Sequence, residues 1–289
     1  MNIILQFSPI IIFLIMLGVG MSVRVENFIE VFKNLKVLII GLLSQIIILP
    51  VIGFLFAILA PIDPVLKVGV ILITCVPSAV TSNYITKLIG GNVALSVSLT
   101  AVTACFSFLT IPFILLIVLP NLIEGANVFE KLNFTKTSLS LLLITTLPVF
   151  LGIFINTKFS KLVEKVRKIY SIFSLFSFLI IVLAAWYSEW NAVIDLYISI
   201  GVLVILLAVA ILISSFTLVN LLNLNEANKK TIIIESFIQN AAMAIVVGGT
   251  VFEIKSGYLA IAVLYALVQY KILFLLWISN KFFQNFSKS

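Results

Sequence analysis

One carboxylate stands deep in an apolar run. In the stretch "IIIESFIQNAAMA", Glu235 is flanked by isoleucines, and Gln239 follows one helical turn later on the same face. A carboxylate at that depth costs at least about 3 kcal/mol, so it is expected to serve a function. Two further apolar runs carry matching donors. Ser96 and Thr100 share a face by the same four-residue spacing, and Gln45 lies about one turn before Pro50. These groups are oxygen donors, with no sulfur or imidazole among them, and the whole chain contains no His. Hard oxygens around a carboxylate favour an alkali or alkaline-earth cation over a transition metal. Two plainer readings stay open: Ser96 and Thr100 as packing contacts between helices, and Glu235 as the structural partner of Lys271, the one cation in a span.

A second stretch, "VPSAVTSNYITKLIGGNVALSVSLT" (Val76–Thr100), puts a proline and many small polar residues between lipid-like runs. Pro77 cannot donate a backbone hydrogen bond and clashes with the preceding turn. In hydrocarbon the freed backbone groups must face protein or a cavity. A helix restarting after the break offers unpaired N–H groups to an anion, whereas free carbonyls and hydroxyls suit a hard cation. A proline kink healed by Ser and Thr side chains is the alternative.

These residues sit in a chain of 289 residues that is 62% hydrophobic and 10% charged, with a mean hydropathy of +1.29. Apolar runs long enough to cross a bilayer recur throughout, which predicts an all-α membrane protein and leaves no room for alternating barrel strands. The runs predict nine spans, near 7–23, 35–60, 65–89, 92–119, 136–156, 169–187, 193–222, 229–252 and 256–280. The whole chain, 1–289, is expected to be one transmembrane domain with no soluble domain appended and no cleaved signal peptide. Basic residues cluster on one side (Arg24, Lys33, Lys36, Lys87, the run from Lys158 to Lys168, Lys229, Lys230, Lys281, Lys288). Only Lys67, Lys131, Lys136 and Lys255 fall on the other. The positive-inside rule then places the N-terminus outside and the C-terminus in the cytoplasm. The net charge of +7 reflects this asymmetry and not a nucleic-acid surface.

Cys75 and Cys105 lie inside apolar runs and read as packing residues. Asp63 and Asp195 lie at connections, which excludes an intramembrane aspartyl protease, and no nucleophile–base set supports any other enzyme. The polar interruptions at Pro77 and at Glu235–Asn240 fall five spans apart, so the two segments run in opposite directions. That is the sequence signature of an inverted-repeat transporter.

At these positions the chain resembles the bile acid:sodium symporter family. The match is densest in "GVGMSVRVENFIEVFKNLKVLIIGLLSQIIILP" (Gly18–Pro50), "VPSAVTSNYITKLIGGNVALSVSLTAVT" (Val76–Thr103) and "IIIESFIQNAAMAIVV" (Ile232–Val247). The resemblance implies a core domain, about 35–119 and 193–280, in which two broken helices cross, and a panel domain, about 7–23 and 136–187, in the nine-span form. It implies two sodium sites: Ser82, Asn83, Ser96, Thr100 and Glu235 in one, and Gln45, Glu235 and Gln239 with the carbonyls of Ser236 and Ile238 in the other. No cofactor is implied beyond these two coupling ions. The function implied is sodium-coupled import of an organic anion, bile acid-like or a small carboxylate, by alternating access in a bacterial inner membrane, with lipid as the surrounding partner and no nucleic acid.

The substrate region departs from the pattern. Many bacterial relatives read Pro-Gly-Gly-Thr where this chain has Pro77, Ser78, Ala79 and Val80. Candidate substrate contacts are Thr81, Asn83, Asn240, Gln269 and Lys271. Lys271 is outside the family pattern, and three roles compete for it: pairing with Glu235, contacting the anion, or snorkelling to the interface. An arsenite permease-like exporter would place a thiol just after the proline, where this chain has Ser78. A sodium-dependent sensor that does not transport would need an appended signalling segment.

Overall fold

The computed structural model describes residues 3–24, 26, 29, 31, 34–122, 133–188, 190, 197–251 and 258–278, without the side chains of 3–5, 188, 197–199 and 251. Asp195 and the basic residues Lys33, Lys131, Lys255, Lys281 and Lys288 lie outside the described residues.

The described chain is helical: α1 (Ile3–Ser22), α2 (Leu35–Leu59), α3 (Pro64–Cys75), α4 (Thr81–Leu88), α5 (Val93–Val118), α6 (Phe134–Lys158), α7 (Ser160–Ser188), α8 (Tyr197–Leu221), α9 (Glu226–Phe237), α10 (Ala241–Val251) and α11 (Tyr258–Ile278). Six of them, α2, α5, α6, α7, α8 and α11, are long and apolar enough to cross a membrane. Their outer faces carry Phe113, Phe150, Phe154, Leu183 and Ile213, all exposed. That apolar coat suits lipid and would be a liability in water. The protein is an integral membrane protein.

Both spans expected to be broken are divided into two helices. Asp63 precedes α3 with Pro64 in its first turn. α3 ends at Cys75 because the residue before a proline is driven to extended backbone, and Val76 has φ −76° and ψ 152°. α4 lasts only to Leu88, where Gly90 takes a left-handed φ of +73° that side chains resist. Asn92 then caps α5 by accepting the Leu95 N–H. In the second broken span, α9 stops at Phe237, and Asn240 Oδ1 accepts the Met243 N–H to begin α10.

The two interruptions meet. The Ala79 N–H donates to the Ile238 carbonyl at 3.1 Å, and the Asn240 N–H donates to the Pro77 carbonyl at 3.1 Å. Ser78 and Gln239 thereby form an isolated antiparallel bridge. Two of the backbone groups released by each break are thereby satisfied by the other, as hydrocarbon requires.

α2 and α6 each contain a π-helical turn, Ser44–Ile48 and Leu142–Thr146, and each turn is followed by Leu-Pro. A proline lacks the N–H for an ordinary helical bond and crowds the carbonyl four residues back. The wider turn relieves both conflicts and re-aims nearby side chains, Gln45 among them.

One boundary differs from expectation. The basic segment read as a connection, 157–168, bends only at Phe159, and α7 begins at Ser160. Lys, Glu and Arg are good helix formers. Their charge ends the lipid-compatible stretch without ending the helix. α7 therefore extends past the apolar run, and Glu164 there pairs with Arg24 at 3.7 Å, both side chains exposed.

Candidate functional site at the helix crossing

Glu235 is fully buried in α9, directly against the bridge between the two breaks. Both carboxylate oxygens are taken by hydroxyls from three separate segments. Oε1 accepts from Ser82 of α4 and Ser96 of α5, each at 2.5 Å. Oε2 accepts from Thr100 of α5 at 2.9 Å and from Ser78 in the first break. Ser96 Oγ also lies 2.7 Å from Asn83 Oδ1, and Ser78 Oγ lies 2.9 Å from Thr100 Oγ1. A hydroxyl has a single proton, so these oxygens make more close approaches than they have protons to bridge them. Such a surplus of lone pairs around a carboxylate is the electrostatic setting in which a small hard cation fits.

A second group of oxygens lies on the other side of α9. Ser236 Oγ contacts Ser44 Oγ at 2.7 Å, where the π-helical turn of α2 packs on α9. Gln45 is 4% exposed, yet neither its Oε1 nor its Nε2 has a partner among the described residues. Gln239 Oε1 is equally buried and unpartnered, while its Nε2 donates to the Ser236 carbonyl at 2.6 Å. Buried amide oxygens left unpaired cost about 1–3 kcal/mol each. The Ser236 carbonyl accepts from Gln239 and the Ile238 carbonyl accepts from the Ala79 N–H, so both are already engaged within the protein. Among the described residues no group of three or more His, Cys, Asp or Glu could hold a metal ion.

Beside the crossing is a cavity of about 440 Å³ between α1, α4, α7 and α11. Thr81 and Asn240 line it, with Val80, Ser174, Phe178 and Tyr270. Thr81 Oγ1 is 2.7 Å from the Tyr270 hydroxyl. The walls are mainly apolar, with a few hydroxyls and one amide, a combination suited to a largely apolar molecule with a polar end.

The candidates thus separate. Ser82, Asn83, Ser96, Thr100 and Glu235 come together in one cluster; Ser236 and Gln239 meet through a hydrogen bond, and Gln45 follows Ser44, which touches Ser236. Thr81 and Asn240 line the cavity, whereas Asn83 faces the carboxylate cluster. Gln269 is fully buried and holds the second break: its Oε1 accepts the Gln239 N–H at 2.9 Å, and its Nε2 donates to the Gln239 carbonyl at 3.3 Å. Ser78 was not among the residues expected here. It was visible only as a departure from a glycine. Its extended backbone follows no helical spacing that could have aimed it at Glu235.

Lys271 lies outside both groups and outside the cavity. It is exposed on the same face of α11 as Leu267, Phe274 and Leu275, about two turns from the helix end, and makes no ion pair among the described residues. A lysine so placed can lay its stem on apolar surface and turn its amine toward the interface. Lys271→Met should leave anion and sodium affinities within error by isothermal titration. A tenfold loss of anion affinity would restore a substrate contact.

The family model described as "Sodium Bile acid symporter family" matches residues 9–196. An uncharacterised sodium-dependent transporter of Bacillus subtilis is 27% identical over 160 residues, 55% of this chain and 48% of that protein. The human ileal sodium/bile acid cotransporter is 28% identical over 152 residues, 53% of this chain and 43% of that protein. The matched stretch therefore spans less than half the length of either relative. The family-model match takes in the first break and α5, while Glu235 and Gln239 lie beyond it.

Proposed function

The chain belongs to the sodium bile acid symporter family, and from that premise we propose that it is a sodium-coupled symporter importing an organic anion by alternating access. The observation that carries this reading is the fully buried Glu235 carboxylate, ringed by four hydroxyls at the meeting point of two broken helices.

Two sodium ions would share Glu235. One would take Ser82, Asn83, Ser96 and Thr100. The other would take Gln45, Gln239 and the Ser236 and Ile238 carbonyls, which gives the unpartnered amide oxygens a role. Two monovalent cations against one carboxylate leave one excess positive charge, and an anion in the adjoining cavity would balance it. The anion would be a bile acid-like molecule or a small carboxylate, its polar end near Thr81 and Asn240 and its body on the apolar wall. Sodium binding would set the geometry of the crossing, so that ion and anion bind cooperatively.

Counting each broken pair as one span among the described residues, the chain would take the nine-span, inverted-repeat form. The core would be about 35–119 and 193–280, and the panel about 7–23 and 136–187. In support, α1 packs on α6 and α7, while α3 packs against α2 and α11. The cavity lies where the two groups face each other. The membrane would be a bacterial inner membrane, with the N-terminus outside.

Purified protein should unfold at a higher temperature in sodium than in potassium at equal ionic strength, and an inward sodium gradient should drive carboxylate uptake into proteoliposomes. Identical behaviour in the two cations would sink the reading. Orientation is checked separately after Cys75 and Cys105 are replaced by Ser. A cysteine at Lys161 should resist an impermeant thiol reagent in intact cells, and one at Asp63 should label. The reverse pattern would put the N-terminus inside.

A further inference from the structure

Arg167 lines three neighbouring cavities. The one nearest α5 has a volume of about 250 Å³. Its charged lining consists of Arg24 and Arg167, without a carboxylate; Glu26 and Glu164 line the neighbouring cavity of about 510 Å³. Among the described residues Arg24 makes one ion pair, its long, exposed contact to Glu164, and Arg167 makes none. The floor is the first turn of α5, Val93 and Ala94, whose N–H groups point out of a 26-residue helix and find no acceptor among the described residues. Ser98 lines the same cavity. It is 2% exposed, and its hydroxyl has no hydrogen bond among the described residues, although Ser96 and Thr100 on the other side of α5 are both engaged by Glu235.

We infer that this cavity is a second anion site, distinct from the Glu235 crossing, which takes a compact oxyanion: a carboxylate, sulfonate or phosphate group. Two guanidinium forks match the paired oxygens of such a group. The helix N-terminus adds positive potential and free donors. Ser98 supplies a buried hydroxyl with no other use. The space suits a headgroup, in contrast to the larger, apolar cavity beside the crossing. A smaller cavity of about 50 Å³ shares Arg167 with this one and shares Val80, Tyr84, Ser171 and Ser174 with the cavity beside the crossing. The Tyr84 hydroxyl donates to Ser171 in the wall of that smaller cavity.

The oxyanion could be free in solution or the phosphate of a lipid, and one experiment separates these sources. Full-length protein in dodecyl maltoside, without sodium, is treated with the arginine reagent phenylglyoxal, and modification of Arg167 is followed by peptide mass spectrometry. Saturating inorganic phosphate should slow modification about tenfold relative to chloride at matched ionic strength, the effect of a charge-assisted contact. Arg24→Gln and Ser98→Ala should each shift protection to higher phosphate concentration. Protection by added phosphatidylglycerol but not by inorganic phosphate would assign the site to a lipid headgroup. Equal modification of Arg167 with and without either anion, or protection unaltered in Arg24→Gln, would overturn the site. No sodium and no transport enter this measurement, so its outcome is independent of the symport reading.

Discussion

Glu235→Ala and Glu235→Gln should both abolish the sodium-dependent rise in unfolding temperature and sodium-driven uptake. Each variant removes the one charge common to both proposed sites. A ligand at a hundred times its Kd stabilises by about 2.7 kcal/mol per site, so the difference is large enough to read by thermal unfolding. The two variants separate charge from architecture. Glu235→Ala also strips the acceptor from Ser78, Ser82, Ser96 and Thr100, leaving buried hydroxyls unpaired, and should lower stability in potassium as well. Glu235→Gln keeps one carbonyl oxygen for the hydroxyls and should fold, yet lack the response to sodium. Ser96→Ala combined with Thr100→Ala should weaken one site and leave part of the sodium stabilisation. If Glu235→Gln keeps the full sodium response, the shared-carboxylate scheme is wrong.

Gly152→Ala should cost about 3 kcal/mol of stability, through a contact that has nothing to do with ions. A Cβ at Gly152 would lie 2.2 Å from the Leu17 carbonyl oxygen and 2.7 Å from the Met21 nitrogen, and one at Gly20 would lie 2.0 Å from the Val149 carbonyl oxygen. α1 and α6 thus meet backbone to backbone, and backbone atoms cannot move aside as a flexible side chain can. Overpacking of this kind costs about 1–3 kcal/mol even where neighbours can give, and small residues are what permit such close helix approach in a membrane. Gly201→Ala is the control, since nothing lies within 4 Å of its added Cβ. It should be neutral or slightly stabilising. Equal unfolding temperatures for the two variants would show that α1 and α6 separate without loss.

Several of these features were readable from residues alone. Pro77 marked a break because proline chemistry is local, and Glu235 marked a site because a carboxylate in hydrocarbon needs partners. Ser96 with Thr100, and Glu235 with Gln239, could be paired because helical spacing fixes which residues share a face. That rule stops at the helix surface. It could not say that Ser78, in extended backbone, reaches the same carboxylate, nor that Ser44 touches Ser236 across 192 positions of sequence. Lys271 shows the converse limit: its depth was legible, but the face it occupies depends on how α11 packs. The helical start of α7 was hidden because hydropathy registers lipid compatibility and not helicity. The π-helical turns left only the trace of a following proline.

The joint between the two breaks is made of main chain. Pro77, Ala79, Ile238 and Asn240 are tied through N–H and carbonyl groups that nearly every residue type possesses. The side chains of Ser78 and Gln239, set between those ties, take no part in the backbone pairing. Holding and choosing are thereby divided between different atoms. If the proposed symport holds, a substitution at either position would change which ion or solute is preferred while these backbone ties stay as they were. A lineage can then wander through selectivities without passing through an unfolded ancestor.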